Sequence, residues 1–326
     1  MSGECAGVKL WVSYQGDKVF QKVLVGVDGK SNGRDAIALA CQLLDHDGEL
    51  TLAHVHGSEL MPSPSMGIEQ RERSQHLLEH ERSLAGCEAR LESRSASSVG
   101  RGLHELAEQI GADLLVVGSC SRGFAGRVFV GNAARGALTG APCAVATAPL
   151  GYAERAPEIA TVGVGYDGSP ESEAALAAAR ALASARGVTV RALQAVSIPA
   201  FAYPGYVPPE IGETIDAMLA AAQERLDALE GVEGAAVYGL AGEELVEFGK
   251  QVDLLVVGSR GYGPVSRLIL GSTAEYLQRN APCPLLVLSR SALAQEPTSK
   301  EPVRGSLPVG AVEPVPQPAA ESAVAP

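Results

Sequence analysis

Apolar and polar positions along the chain fall into two kinds of segment, short continuous apolar runs and longer stretches with a helical period. Residues 22–27 (KVLVGV) are apolar and rich in β-branched side chains, which predicts a strand buried on both faces. A turn at 28–34 (DGKSNGR) leads into a stretch, 36–44, whose apolar density predicts a helix. A second strand is expected at 50–56, then a Pro/Ser/Gly loop (MPSPSMG) and a long charged helix over 69–91. A weak third strand near 93–99, a helix at 103–110 and a fourth strand at 114–117 follow. A Gly-rich loop, another helix and a last strand at 144–148 complete the unit.

The same order then recurs. DLLVVGS begins at Asp113 and again at Asp253, and APC begins at Ala141 and again at Ala281, both 140 residues apart. V-x-V-D-G around Asp28 answers V-x-Y-D-G around Asp167 at a separation of 139. Three landmarks in one order at nearly constant spacing mark a duplication. In the second copy Ile211, Ile215, Met218, Leu219, Ala222, Leu226 and Leu229 form one apolar stripe of a 3.6-residue period, and so a long amphipathic helix. Strands separated by helices must pair in parallel through right-handed crossovers. The expected fold class is therefore α/β, with two tandem doubly wound domains, each a five-stranded parallel sheet with a crevice at the carboxyl ends of its strands. The boundaries read as an N-terminal arm (1–18), a first domain (19–150), a second domain (157–290) and a tail (291–326).

Composition narrows the picture. With 326 residues, 46% of them hydrophobic and 20% charged, each domain can bury an ordinary core. The formal net charge of −12 argues against a nucleic-acid partner, which needs a concentrated basic face. Six scattered cysteines without a C-x-x-C pair predict a reducing, cytoplasmic setting. The N-terminus lacks the basic-then-apolar run of a signal peptide, and the most apolar helical stretch, 174–185, is interrupted by Arg180, so no membrane partner is expected. The tail holds seven of the 20 prolines and no aromatic residue, which predicts a disordered segment. Its Pro314-Val-Pro316-Gln-Pro318 run is either a solvated stretch or a polyproline ligand for a protein partner.

The candidate chemistry lies after the fourth strand of the second copy, where Gly258-Ser-Arg260-Gly261 is followed, nine residues on, by Gly271-Ser272-Thr273. A glycine-rich loop between strand and helix offers backbone N–H groups to phosphate oxygens. Ser272 and Thr273 stand where a helix begins, so hydroxyls and the positive helix end face the same anion. Arg260 and Arg267 bring positive charge to this region.

This G-x₂-G-x₉-G-[ST] pattern, following DLLVVGS and followed by APCPLLVL, resembles the universal stress protein family in its tandem form, over residues 19–288. The resemblance implies an adenine nucleotide alpha hydrolase-like fold and ATP as the ligand. It also implies site residues in the second copy: Gly165, Tyr166 and Asp167 at the end of the first strand, Val196 at the end of the second, and Gly258, Arg260, Gly261, Gly271, Ser272 and Thr273 around the phosphates. In the first copy Asp28, Val55, Gly118, Gly131 and Asn132 occupy the matching places. There the loop departs from the pattern, with Ser121 in place of Gly261 and Asn132 in place of Ser272, so binding is expected chiefly in the second copy. Family members pair through the strand after A-P-C-P. Residues 144–148 and 285–288 are accordingly expected to pair antiparallel within one chain, an intramolecular pseudo-dimer that leaves either a monomer or a homodimer of such units.

Other signals are weaker. Gly163-Val-Gly165-Tyr-Asp-Gly168 fits G-x-G-x-x-G, but its glycines begin inside the strand and no acid ends the second strand. His76-Leu-Leu-Glu-His80 fits an inverted zincin pattern on a helix dense in Arg and Glu, and reads as solvated surface; His54 and His56 lack a third ligand. Cys120, inside the first copy's loop, is either an inert residue or an oxidisable thiol beside Arg122, whereas Cys143 and Cys283 read as small buried hydrophobes. Neither loop region, 118–132 or 258–273, contains Asp or Glu, and no nucleophile–base pair or G-x₄-G-K-[ST] loop occurs. A bound Mg²⁺ would therefore lean on ATP oxygens and water. The expected function is ATP binding by a stress-response regulator with slow hydrolysis at most; the alternatives are a nucleotide-free scaffold and a slow ATPase.

Overall fold

The computed structural model describes residues 19–57, 64–119, 136–155, 157–198, 211–259 and 271–288. The N-terminal arm, the tail, Cys120, and the loop residues Gly131, Asn132, Arg260, Gly261 and Arg267 lie outside the described residues. The strands are β1 (Lys22–Gly26), β2 (Glu49–Gly57), β3 (Arg90–Ala96), β4 (Leu114–Gly118), β5 (Ala144–Ala148), β6 (Thr161–Gly165), β7 (Thr189–Val196), β8 (Glu233–Tyr238), β9 (Leu254–Gly258) and β10 (Leu285–Leu288). The helices are α1 (Ser31–Leu43), α2 (Pro64–Ala85), α3 (Val99–Ile110), α4 (Tyr152–Arg155), α5 (Pro170–Arg186), α6 (Ile211–Asp227), α7 (Ala241–Phe248) and α8 (Ser272–Asn280).

Each half is a parallel sheet of five strands, as its β/α alternation requires. The halves join edge to edge into one sheet of order β3-β2-β1-β4-β5-β10-β9-β6-β7-β8. At the junction β5 and β10 run antiparallel, with Thr147 opposite Leu285, Ala146 opposite Leu286 and Val145 opposite Val287. Every residue of these two strands is buried. The intramolecular pairing expected from the sequence is therefore present, and it covers the two edges that would otherwise be open.

Helices cover both faces of the sheet. On one face Leu39 of α1, Leu78 of α2, Leu176 of α5 and Leu226 of α6 belong to a core that runs through both halves. On the other, Leu103 of α3, Leu245 and Phe248 of α7, and Leu277 of α8 close a second core around Val145 and Leu285. Because both layers cross the β5–β10 junction, the halves share their cores rather than merely touching.

Several element boundaries differ from the sequence reading: α1 already begins at Ser31, α2 at Pro64 and α3 at Val99. The charged helix stops at Ala85, because Gly86 takes a left-handed conformation (φ 61°) that turns the chain out of the helix. That frees β3 to start at Arg90, opposite Thr51 of β2. Its sequence, RLESRSA, is polar because β3 is an edge strand with charged side chains along it, so the apolar pattern placed it too late. The apolar stripe of α6 is also only partly used. Ala222 and Leu226 are buried, Ile211, Ile215, Met218 and Leu219 are half-buried, and Leu229 lies just beyond the helix.

The connection between the halves is anchored by α1. Asp35, 1% exposed, accepts hydrogen bonds from the Gly151 N–H (2.9 Å) and the Ala153 N–H (2.8 Å). Gln42 donates to the Pro157 carbonyl at 3.0 Å and accepts from the Ile159 N–H at 3.3 Å. In the second half Ala174 stands where Asp35 stands in the first, so this clamp belongs to the connection and not to the repeated unit. Replacing Asp35 with Ala leaves two linker N–H groups without their acceptor. We expect a loss of about 1–3 kcal/mol of unfolding free energy, read from urea denaturation. An unchanged midpoint would show that the clamp does not hold the connection.

Candidate functional site

In each half the parallel strand order reverses between the first and fourth strands, which opens a crevice at their carboxyl ends. In the second half a cavity of about 600 Å³ occupies this position, between β6, β7 and β9 and the amino ends of α5, α7 and α8. That is within the usual size of a small-molecule site. One wall is apolar, formed by Leu193, Ala195, Leu245, Val257 and Ala274. The opposite rim is polar, with Asp167, Ser169, Glu171, Ser172 and Thr273.

The local geometry follows from the sequence at each corner. Asp167 lies two residues past β6, is exposed, and accepts a hydrogen bond from the Ser169 N–H at 3.0 Å in a tight turn. Ser169 caps α5 by accepting from the Ser172 N–H at 3.2 Å, so the first donors of this helix are already engaged. By contrast, α8 starts at Gly271 with no side-chain cap, which leaves its first-turn N–H groups and the positive end of its dipole for a ligand. Tyr166 packs into the core at 6% exposure and donates its hydroxyl proton to Glu173. Burial, reinforced by that carboxylate, pushes the phenol up to about 12. Tyr166 thus acts as a packing and anchoring residue at the cleft wall.

Of the residues marked from the sequence, Gly165, Tyr166, Asp167, Gly258, Gly271 and Thr273 line one cleft. Val196 flanks it: Ala195 and Ser197 form the wall, and the Val196 carbonyl accepts from the Gly239 N–H at 3.0 Å. Ser272 is exposed at the start of α8, beside the lining residues Gly271 and Thr273. Gly258 has a different steric task from the one its loop pattern suggests. A Cβ there would lie 2.4 Å from the Glu171 carbonyl oxygen, so glycine lets the end of β9 meet the first turn of α5. Gly118 repeats this against Asn32, at 1.9 Å from the carbonyl oxygen.

In the first half Asp28 accepts from the Lys30 N–H at 3.1 Å and from the Asn32 side-chain amide at 3.3 Å. Strand register corrects one equivalence. Gly26 pairs with Ala53 and Gly165 with Leu193, so Val55 corresponds to Ala195, and His56 to Val196. The Val55 side chain packs toward α3, where a Cβ on Gly102 would meet it at 2.5 Å. Sequence reasoning also missed Ala241, Leu245 and Ser197 in the second-half cleft. They come from segments with no motif: Ala241 and Leu245 are brought in by α7 folding over the strand ends, and Ser197 follows β7 directly.

Charged lining residues among those described are acidic, Asp167 and Glu171. No group of three or more His, Cys, Asp or Glu side chains is placed to hold a metal ion among the described residues. His76 and His80 lie exposed on α2, in agreement with a solvated surface. Gly163 of the G-x-G-x-x-G match sits inside β6, where a Cβ would lie 2.7 Å from Phe248, so packing accounts for it. No described helix is long and apolar enough to cross a membrane.

A pair of fused doubly wound domains with a cleft at a switch point, floored by an uncapped helix start, defines the class: a tandem α/β protein of the doubly wound kind. The family model for the universal stress protein family matches residues 20–149 and again 158–289, and the chain belongs to that family. It is 30% identical over 288 residues to a universal stress protein of Mycobacterium tuberculosis (strain H37Rv), covering 82% of this chain and 97% of that one. A Mycolicibacterium smegmatis relative is 29% identical over 295 residues, covering 82% and 96%. Among solved structures, a universal stress protein from Archaeoglobus fulgidus superposes with a TM-score of 0.59 at 17% identity, covering 85% of this chain and all of that one, which supports the fold.

Burial also suppresses ionisation of the two A-P-C thiols of this chain. The thiols of Cys143 and Cys283 are each pushed up to about 12 from 9.0. Groups whose folded pKa is raised stabilise the fold below their unfolded pKa and withdraw that stability as pH rises toward the folded value. Together with Tyr152 and Tyr166, raised from 10.0 to about 12, they predict a melting temperature that falls steadily above about pH 9. Thiol titration at pH 8 should leave both cysteines unreacted until denaturant is added; fast native labelling of either would contradict their burial.

Proposed function

We propose that the protein is a stress-response regulator that binds ATP in the cleft of its second half. The observation that carries this reading is the cleft itself: an apolar wall sized for a base on one side, and the uncapped amino end of α8 on the other. Adenine lies against Leu193, Ala195 and Leu245, the ribose hydroxyls reach Asp167, and the phosphates extend to Gly271, Ser272 and Thr273. Because the described lining carries no cation, phosphate charge is balanced by the helix end, by Arg260, and by Mg²⁺ held on ATP oxygens and water. Occupancy alters a surface open to a protein partner. A cytoplasmic location accords with the four described cysteines, which are free. Membership of the universal stress protein family supports the assignment.

The test is direct. Purified protein is denatured and released nucleotide is counted per chain, then Mg-ATP affinity is measured by calorimetry. About one ATP per chain is expected; none, with no heat on titration, favours the nucleotide-free scaffold instead. Thr273→Glu puts a carboxylate at the start of α8, which suits the helix dipole but opposes phosphate. We expect a folded variant with at least roughly tenfold weaker ATP binding, about 1.4 kcal/mol. Unchanged affinity in that variant would remove the phosphates from α8.

A further inference from the structure

The described cysteines are of two kinds. Cys143 and Cys283 are buried at the turns into β5 and β10. Cys283 also borders a small cavity of about 180 Å³ at the β5–β10 seam, with Ser119, Thr147, Leu277 and Gln278. Cys41 and Cys87 are placed differently. Cys41 is exposed near the carboxyl end of α1, and Cys87 is half-buried just after α2, packed against the core beneath both helices. Far apart in sequence, the two thiols face each other and interact through their side chains.

Helix packing explains the meeting. Arg34 of α1 donates to the buried Glu81 carboxylate of α2 at 3.0 and 3.2 Å, which fixes one face of α1 against the end of α2. Cys41 lies two helical turns after Arg34 on that face. On the other side, the left-handed Gly86 (φ 61°) ends α2 and leaves Cys87 beside α1. The second half repeats the arrangement with other residues. Cys41 corresponds to Arg180 by the match of Asp28 with Asp167, and Cys87 to Glu230 by counting back from the matched strand starts Arg90 and Glu233. There Arg180 donates to the Glu230 carbonyl at 2.8 Å. The fold thus brings these two positions together in both halves, and the first half fills them with thiols.

From this juxtaposition we infer that Cys41 and Cys87 are a modification site, closing to a reversible disulfide when a small-molecule disulfide such as oxidised glutathione is in excess. The Cys41 thiolate, at the surface, attacks one sulfur of the small disulfide, whose S–S bond breaks and releases one thiolate. The Cys87 thiolate then attacks the Cys41 sulfur, forms the protein S–S bond and releases the second thiolate. The two protons lost by the protein thiols end on the two released thiols, and two electrons pass from the protein to the reagent. Partial burial of the sulfurs raises both thiols, Cys41 to about 11, so exchange quickens as pH rises. In a reducing compartment the pair rests as free thiols and closes when the thiol poise turns oxidising. The bond ties α1, which holds the connection between the halves through Asp35 and Gln42, to the turn that enters the edge strand β3.

The full chain is incubated at about pH 8 with oxidised glutathione, quenched with acid, and read by intact mass and peptide mapping. Oxidation is expected to remove the mass of two hydrogens and to yield one peptide pair joined through Cys41 and Cys87. Reduced glutathione in excess should restore both thiols. Cys87→Ser removes the resolving thiol, so that variant should stop at a glutathione adduct on Cys41. Cys41→Ser, at an exposed position that leaves the fold intact, should give no joined pair. A parent chain that accumulates glutathione adducts without the Cys41–Cys87 link would overturn the proposal. So would a chain that joins either cysteine to a different one, or that leaves both thiols free under excess oxidised glutathione.

Discussion

The antiparallel contact between β5 and β10 is the constraint on which the molecule depends. Each half is a five-stranded parallel sheet with its own switch point, but each would end in an apolar strand with no neighbour. An open edge of that composition recruits another chain. Pairing the two edges inside one chain removes that liability and turns two modest cores into continuous layers on both faces. It also fixes the relation of the clefts. Strands are parallel within each half and antiparallel across the seam, so the carboxyl ends of the two halves point to opposite ends of the sheet.

A seam of this kind needs the connection to return the chain to the correct edge, and the clamp from α1 supplies the return. Asp35 and Gln42 hold Gly151, Ala153, Pro157 and Ile159 against the first half before β6 begins. Further along, Asp113 and Asp253 accept backbone N–H groups at the starts of β1 and β6 in the same way. The repeated aspartates belong to the domain, whereas Asp35 and Gln42 belong to the tandem arrangement. One duplication thus contains two layers of polar specification, one inherited by both halves and one particular to their fusion.

Much of this was legible in the sequence, because the repeat spacing and the apolar runs report backbone periodicity directly. DLLVVGS marks β4 and β9, and A-P-C marks the turn into β5 and β10. What pattern did not reveal has identifiable causes. β3 is polar because it is an edge, so hydrophobicity understates it. Val55 and Val196 look equivalent by residue type, but strand register, which sequence spacing does not define to one residue, pairs Val55 with Ala195. Gly258 belongs to a recognisable loop pattern, yet its steric need comes from α5, nearly ninety positions earlier. The seam cavity draws on residues 119, 147 and 278, which become neighbours only after the sheet has closed.

The asymmetry between halves has a physical logic. A duplicated domain begins with two equal clefts and two equal sides of the seam, and selection on one chain can alter each independently. Here the second half carries Gly271, Ser272 and Thr273 at the α8 start, while at the seam the polar Thr147 and Gln278 are matched by the apolar Val287 and Leu138 at the equivalent places. Buried polar atoms without partners oppose folding, by about 1–3 kcal/mol each. α8 carries both features, with its amino end at the large cleft and Gln278 in its last turn at the small one. It is a nine-residue helix, and a rigid element of that length moves as one body. The two cavities therefore share this one helix as a wall, the first through Gly271, Thr273 and Ala274 at its amino end and the second through Leu277 and Gln278.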